Sequence, residues 1–267
     1  MTPDQHMTPD QLLHHYDQAT FWPDASGLTV PDAYASALAT RQLRIARGER
    51  PRGYKVGFTN RSLWSRYQVG APIWGTVWDR SLAFCEGQGE VSLTGTCQPR
   101  IEPEAVFGMS ATPPVNASFD DLWGCIDWVA PGFEIVQSHL KDWKFTAGDT
   151  VADGALHARL LVGTRTPVAQ LADDASALER RLVECGLTLR RGGEVIERGT
   201  GANVLEGPLH ALHYFLNELR ECRGAPDLQA GDVVTTGTWT DAWPVAPGEQ
   251  WTAEFAAPLS QLQIRFS

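Results

Sequence analysis

One octet in the middle of the chain, from Arg100 to Phe107, constrains the fold most because it places two carboxylates in a β pattern. Its sequence, RIEPEAVF, alternates apolar and charged side chains with the two-residue period of a strand. Glu102 and Glu104 therefore share one face, roughly 7 Å apart along the backbone. Carboxylates this close repel each other unless a cation lies between them, and Mg²⁺ or Mn²⁺ prefers carboxylate oxygen. The octet predicts either part of a divalent-metal site or a solvent-facing strand with two acidic residues.

A second carboxylate-bearing strand supplies the candidate third ligand. The stretch APGFEIVQ, residues 130–137, is apolar except for Glu134 and the terminal glutamine. Burial of a single carboxylate is costly unless a partner neutralises it. We therefore expect Glu134 to meet Glu102 and Glu104 at one divalent ion.

Composition and charge favour a soluble globular protein that handles small molecules. The net charge of −10 is spread along the 267 residues, which argues against a nucleic-acid partner. Five cysteines without a C-x-x-C pair favour neither a disulfide framework nor a zinc site. The polar start and the lack of an apolar run of about 20 residues predict no signal peptide and no membrane partner, hence a cytoplasmic location. Met1–Gln5 recurs at Met7–Gln11, which indicates an alternative start or a cloning remnant.

Helical patterns dominate the first fifty residues, and short strands dominate the rest. Apolar spacing and capping residues predict helices that begin after Thr8 and that span residues 32–47, 118–128 and 208–222. Strands punctuated by glycine and proline follow from about residue 81. We expect an N-terminal helical and α+β region, residues 1–80, packed on a catalytic domain, residues 81–267, as one functional unit.

Other polar residues beside glycines are candidates for substrate contact. Lys55 lies in GYKVG, where a desolvated ammonium needs an anion, although a snorkelling surface lysine fits the local sequence equally well. Gly237 and Thr238 follow an apolar strand and form either a carboxylate cradle or a plain tight turn. Asp153 ends the acidic stretch DTVAD, which either caps a helix or brings a catalytic carboxylate beside the metal.

Several short motifs occur together in one order: GYKVG (53–57), PRIEPE (99–104), EIV (134–136), DWK (142–144), DTVAD (149–153), AGDVVTTGT (230–238) and PVAPG (244–248). With them the chain resembles the fumarylacetoacetate hydrolase superfamily over about residues 10–267. It more narrowly resembles the branch of 2-keto-4-pentenoate hydratases and 4-oxalocrotonate decarboxylases. The resemblance implies an α+β fold, in which mixed β-sheets roll around the active site and an N-terminal helical region packs on them.

The resemblance also implies roles for individual residues. It implies that Mg²⁺ or Mn²⁺ binds a 2-oxo acid through the carboxylate and keto oxygens of the acid. The residues so implied are Glu102, Glu104 and Glu134 for the metal, Lys55, Asp79 and Asp153 for acid–base or charge-stabilising roles, and Thr238, Gly237 and Lys144 for substrate binding.

The activity implied first is that of a hydratase, which adds water to a 2-hydroxy-2,4-dienoate to give a 4-hydroxy-2-oxo acid in aromatic catabolism. The alternatives are a 4-oxalocrotonate-type decarboxylase, a C–C hydrolase of an acylpyruvate using His14 or His15 on a lid, and an inactive partner subunit. One departure bears on this choice, because the Asn-Ala-Ser that usually follows the aspartate in this branch is Gly154-Ala155-Leu156 here. A homo-oligomer, associated with a partner decarboxylase or hydratase, is also expected from the resemblance.

Overall fold

Two β-sheets form the framework of residues 6–267, the part of the chain that the computed structural model describes. The Met1–Gln5 repeat lies outside the described residues. The strands are β1 (Pro51–Gly57), β2 (Ile73–Trp78), β3 (Leu82–Phe84), β4 (Gln88–Val91), β5 (Arg100–Met109), β6 (Ile126–Val136), β7 (His157–Val162), β8 (Thr166–Pro167), β9 (Gly186–Arg191), β10 (Glu194–Thr200), β11 (Val233–Thr235), β12 (Trp243–Pro244), β13 (Gln250–Phe255) and β14 (Leu262–Phe266). The helices are α1 (Pro9–Gln18), α2 (Val30–Ala46), α3 (Trp64–Tyr67), α4 (Phe119–Trp123), α5 (Ala147–Ala152), α6 (Ala175–Glu184) and α7 (Pro208–Glu221).

Both sheets are mixed, as the α+β prediction requires. The nine-stranded sheet runs β2-β1-β11-β5-β6-β7-β3, with β12 paired to β5 and β8 paired to β6. The five-stranded sheet runs β10-β9-β13-β14-β4. Pairs β1–β11, β3–β7 and β4–β14 are parallel, whereas β5 and β6 pair antiparallel along most of their length. The division proposed at residue 80 passes through the larger sheet, which takes β1 and β2 from one side and β5 to β7 from the other.

Helix α1 begins after Thr8, as predicted, whereas α2 begins at Val30, two residues before its predicted start. The Thr8 hydroxyl accepts a hydrogen bond from the Gln11 amide, and the Gln11 side chain accepts one from the Thr8 amide, so a capping box starts α1. Thr29 caps α2 just before Pro31. Within residues 6–267, none of the helices combines the length and the apolar character that a bilayer span requires.

Two helical predictions need correction. The helix predicted over residues 118–128 ends at Trp123, and Ile126 already belongs to β6, because long-range pairing with β5 overrides the local pattern. Helix α6 has no counterpart in the prediction. Its charge-rich sequence nevertheless buries Leu178 and Leu182 on one face, four residues apart.

Candidate metal centre

Strand pairing brings the three predicted carboxylates together. Glu102 on β5 lies directly opposite Glu134 on β6, and Glu104 follows two residues later on the same face of β5. One oxygen from each of the three side chains lies within 4.8 Å of the others. Glu104 and Glu134 are fully buried. The sheet therefore gathers side chains from distant parts of the sequence into one compact acidic cluster.

Lys55 reaches this cluster from β1 because the sheet is curled. Three strand spacings of about 4.8 Å separate β1 from β6 along the sheet, so two side chains can meet only across a concave face. The Lys55 ammonium lies 3.3 Å from Glu134 Oε2, and the residue is only 3% exposed. The desolvated lysine is thus the observed arrangement, and the snorkelling alternative is wrong.

In each of the two fully buried carboxylates, one oxygen accepts a hydrogen bond from the protein and the other accepts none. Glu104 Oε2 accepts a 2.6 Å hydrogen bond from the Gly237 amide, while Oε1 has no hydrogen-bond partner among residues 6–267. Glu134 Oε1 lies 2.9 Å from His157 Nδ1, and its Oε2 makes no hydrogen bond in the described chain but lies 3.3 Å from the Lys55 ammonium. Buried polar atoms are seldom left in this state. A hard divalent cation would satisfy both oxygens, so the residues present fit Mg²⁺ or Mn²⁺.

The electrostatics of the cluster favour a cation for the same reason. Burial raises the pKa of Glu102 to about 7, against the opposing effect of Lys55. Burial, reinforced by Glu134 and Glu102, also raises the pKa of Glu104 well above its usual value. Burial lowers the pKa of Lys55, but the three carboxylates outweigh that effect and raise it. One ammonium against three carboxylates leaves negative charge for a metal to neutralise.

A cavity of about 400 Å³ opens in front of the cluster, and its floor includes Lys55 and Glu102. Five aromatic residues line its walls: Phe58, Tyr67, Trp143, Phe145 and Trp239. Tyr67 stacks between Phe58 and Phe145, with ring centroids 4.6 and 5.7 Å away. The cavity thus has a charged end and an aromatic wall, which suits a small acid with an apolar chain.

Gly237 and Thr238 lie at this cavity, as predicted, but they are not equivalent. Gly237 has a φ of +98°, and a Cβ at this position would overlap the Thr59 hydroxyl, so only glycine fits. Its amide is occupied by Glu104. The Thr238 hydroxyl donates to the Thr240 carbonyl at 3.0 Å. Gly237 therefore holds a metal-site carboxylate, whereas the contact of Thr238 with substrate stays a prediction.

Asp153 occupies a different position from the one expected. Both of its oxygens bind His139, at 2.6 Å to Nδ1 and 3.0 Å to the backbone amide. Asp153 lines a separate, smaller cavity between α1, α2 and α5, not the 400 Å³ cavity. Its carboxylate is therefore committed to a buried ion pair and does not lie beside the substrate space.

The structure also does not bring Asp79 or Lys144 to the 400 Å³ cavity. Asp79 is exposed in the turn after β2, where Oδ1 accepts hydrogen bonds from the amides of Arg50 and Arg80. The Lys144 side chain is 81% exposed, with Nζ 3.7 Å from an oxygen of Asp142. Trp143 and Phe145, on either side of Lys144, do line the cavity, while the side chain of Lys144 itself turns outward to solvent.

The imidazoles proposed for a lid, His14 and His15, likewise do not line the 400 Å³ cavity. His14 is exposed, and His15 Nδ1 lies 2.9 Å from the hydroxyl of Thr20.

Two residues at the site had no predicted role. Arg100 lines the cavity, and its guanidinium lies 4.2 Å from the centre of the Trp143 ring. The two-residue period of the strand predicts this position, because residue 100 shares a face with Glu102. His157 contacts Glu134, and burial lowers its pKa against the opposing effect of that carboxylate. No local signal points to His157, since its contact depends on a register shift in the β6–β7 pair.

The fold and the site together define a class of protein with curled mixed sheets around a buried triad of carboxylates suited to a divalent cation. The family model described as fumarylacetoacetate (FAA) hydrolase C-terminal matches residues 76–265, and the chain belongs to this family. The resemblance inferred from the motifs is therefore confirmed.

The similar proteins are hydratases and a decarboxylase from one branch of the family. The chain is 32% identical over 237 residues to a 2-keto-4-pentenoate hydratase of Paraburkholderia phymatum, covering 88% of this chain and 85% of that protein. It is 32% identical over 228 residues to a 2-hydroxyhexa-2,4-dienoate hydratase of Comamonas testosteroni, covering 84% and 81%. The 4-oxalocrotonate decarboxylase from Pseudomonas putida G7, complexed with magnesium and adipate, superposes with a TM-score of 0.86 at 27% identity, covering 97% of this chain and 95% of that chain.

Proposed function

We propose that the protein is a divalent-metal-dependent hydratase, which adds water to a 2-hydroxy-2,4-dienoate to give a 4-hydroxy-2-oxo acid in aromatic catabolism. The observation that carries the proposal is the convergence of Glu102, Glu104 and Glu134 at the end of a partly aromatic cavity. The names of two relatives, a 2-keto-4-pentenoate hydratase and a 2-hydroxyhexa-2,4-dienoate hydratase, support the choice of reaction.

Glu102, Glu104 and Glu134 would hold the Mg²⁺ or Mn²⁺. When bound, the ion would supply a Lewis acid that polarises the keto group of a 2-oxo acid. The Glu104 oxygen that has no partner in the described chain and the Glu134 oxygen that meets only Lys55 support this assignment, and so does the magnesium in the similar decarboxylase.

Lys55 would be the acid–base or charge-stabilising group. Its ammonium lies beside the carboxylate cluster in the cavity floor. The guanidinium of Arg100 lies further along the same wall. A buried ammonium at a fixed position stabilises negative charge that develops on a substrate oxygen, because no solvent screens it. Thr238 would contact the substrate carboxylate. The rings of Phe58, Tyr67 and Phe145 would exclude water from the hydrocarbon part of the substrate.

A specific observation favours a decarboxylase as the second candidate. Leu156 lines the cavity at the position where this branch usually has a serine. A hydratase has to hold and deliver a water molecule, whereas loss of CO₂ from a vinylogous β-keto acid needs no added water. An apolar side chain at this point cannot hydrogen-bond a nucleophilic water, and the decarboxylase from Pseudomonas putida G7 is among the structures that superpose well.

One set of assays separates these reactions. Purified protein with Mn²⁺ is mixed separately with 2-hydroxypenta-2,4-dienoate, with 4-oxalocrotonate and with an acylpyruvate, while UV absorbance and CO₂ are followed. Loss of the dienoate band without CO₂ is expected for the hydratase, and CO₂ release from 4-oxalocrotonate alone would establish the decarboxylase instead. Turnover of the acylpyruvate alone would establish the hydrolase. A protein that binds Mn²⁺ but turns over none of the three would be an inactive partner subunit.

A matched variant tests the metal site within the same assays. Glu102→Gln keeps the size of the side chain but removes its charge, so it should lose both Mn²⁺ binding and activity. Full activity in this variant would refute the assignment of β5 as the metal strand.

The proposed setting of the enzyme is a homo-oligomer in the cytoplasm, associated with a partner decarboxylase or hydratase. Light scattering after size-exclusion chromatography would test the homo-oligomer, and a monomeric result would refute it.

A further inference from the structure

His157 is a buried histidine in direct contact with a proposed metal ligand, and nothing in the proposed reaction uses it. Its Nδ1 lies 2.9 Å from Glu134 Oε1, and its Nε2 lies 2.8 Å from the Ser81 hydroxyl. We propose that His157, fixed by Ser81, is a positioning residue that ties down one oxygen of Glu134 and presents the other to the cation. The inference rests on the proposed metal site formed with Glu102 and Glu104.

The direction of the hydrogen bonds follows from the chemistry of the groups. An ionised carboxylate only accepts, so His157 Nδ1 must carry the hydrogen that it shares with Glu134. In a neutral ring Nε2 then accepts, and the Ser81 hydroxyl is the donor. The Ser81 oxygen in turn accepts from the Trp78 amide at 3.1 Å. The donors thus form a single chain that ends on Glu134.

The opposite arrangement is disfavoured by the same distances. The Ser81 hydroxyl could instead donate to the Trp78 carbonyl, which lies 3.0 Å away. A neutral His157 would then donate from Nε2 to Ser81 and turn an unprotonated Nδ1 towards Glu134. Two acceptors would face each other at 2.9 Å in a buried site, where such a pair is costly.

The two fully buried carboxylates of the cluster are held in the same way, because one oxygen of each accepts a hydrogen bond from the protein. The Gly237 amide holds Oε2 of Glu104 and leaves Oε1 without a hydrogen bond, while His157 holds Oε1 of Glu134 and leaves Oε2 facing the Lys55 ammonium at 3.3 Å. Without His157, the Glu134 carboxylate could rotate and turn either oxygen towards the Lys55 ammonium. Groups that hydrogen-bond to a metal ligand restrict such rotation, and their loss typically weakens metal affinity about 10- to 100-fold.

The main chain holds His157 and Ser81 in place independently of any metal. His157 begins β7, next to the register shift that interrupts the β6–β7 pair. The carbonyl of Ser81 accepts a 2.7 Å hydrogen bond from the Leu160 amide, in the same strand as His157. Ser81 and His157 are 6% and 3% exposed. The pair is therefore a rigid support, as a positioning role requires.

The test compares two substitutions of nearly equal shape. In His157→Asn the amide nitrogen can replace Nδ1 as donor, whereas His157→Leu has no donor at all. Titration with Mn²⁺ alone, followed by EPR of the free ion, should show about 10- to 100-fold weaker binding for His157→Leu. Binding by His157→Asn should stay close to that of the unmodified protein. Thermal unfolding in EDTA establishes that both variants are folded.

Equal Mn²⁺ affinity in folded His157→Leu and in the unmodified protein would overturn the proposal, and His157 would then be only a packed core residue. If His157→Leu does not fold, Ser81→Ala decides, since it removes one hydroxyl and should still weaken Mn²⁺ binding several-fold. An unchanged affinity in Ser81→Ala would overturn the proposal as well. Unmodified protein that binds no Mn²⁺ would refute the metal site itself, a result distinguishable from a failure of His157 alone.

Discussion

Replacement of Lys55 by methionine tests how the acidic cluster is balanced. Methionine keeps most of the length of the side chain and removes the charge, so the change isolates the ammonium. The ammonium lies 3.3 Å from Glu134 and is the cation nearest to the three carboxylates in the described chain. In metal-free protein, Lys55→Met therefore removes the nearest counter-charge of the buried carboxylates and leaves only the more distant Arg100.

The expected loss of stability is large. Removal of one partner from a buried ion pair typically costs about 3–5 kcal/mol. At about 2–4 °C per kcal/mol for a chain of this size, the Tm in EDTA should fall by roughly 6–20 °C. Excess Mn²⁺ should recover much of the loss, because the ion neutralises the same carboxylates. Activity should stay low even with Mn²⁺, about 100-fold or more below that of the unmodified enzyme, since a fixed charge at the reacting centre is missing.

Calorimetry at neutral pH, with EDTA and with excess Mn²⁺, measures the stability, and turnover of the dienoate measures the activity. Lys144→Met is the matched control, because its side chain is 81% exposed and its loss should change the free energy of unfolding by less than about 0.5 kcal/mol. A Lys55→Met protein as stable as the control in EDTA would refute the reasoning. An equal loss with and without Mn²⁺ would show that Lys55 acts through packing rather than charge.

Three further predictions follow from the same electrostatics and from the cavity wall. The pKa of Glu102 is raised to about 7 in metal-free protein, and that of Glu104 is also raised, so the Tm in EDTA should fall as pH rises from about 4.5 through about 7. Mn²⁺ should flatten this profile, and a Tm independent of pH in EDTA would contradict the prediction. The pKa of His139 is raised to about 10, because Asp153 outweighs the effect of burial, so the pair stabilises the fold below about pH 6.5 and loses its effect as pH rises through about 10. His139→Gln should lower the Tm by several degrees at pH 7 and show a smaller loss near pH 10, and an equal loss at both pH values would exclude a charged pair. Leu156→Ser should raise the ratio of water addition to CO₂ release, measured with the dienoate and oxalocrotonate assays, and an unchanged ratio would show that this side chain does not select the reaction.

Local patterns in the sequence predicted the parts of the site that lie within a single element. The two-residue period of the octet placed Glu102 and Glu104 on one face, and that face is the one that borders the cavity. The cap of α1 at Thr8 was equally visible, because a cap is a contact between residues three positions apart. Carboxylates and a lysine in apolar strands also marked Glu134 and Lys55, since burial without partners would be too costly.

The placement of a side chain differed from expectation where it had two local environments to choose between. Asp153 ends a short helix, and nothing in its neighbourhood indicates that His139, fourteen residues earlier, would take both of its oxygens. Lys144 has cavity-lining neighbours on both sides, yet the backbone turns it towards solvent. The motif order located these segments correctly but did not give the direction of individual side chains.

The sequence by itself determined which residues carry charge into apolar strands, and therefore which residues were candidates for binding an ion. Tertiary structure alone decided which of these charges meet. The register of β5 against β6 sets Glu102 opposite Glu134. The curl of the sheet brings Lys55 from β1 to Glu134, and the register shift between β6 and β7 places His157 against the same carboxylate. The period of a strand is a property of its own residues, whereas its partner, its register and its curvature depend on contacts between residues far apart in the chain.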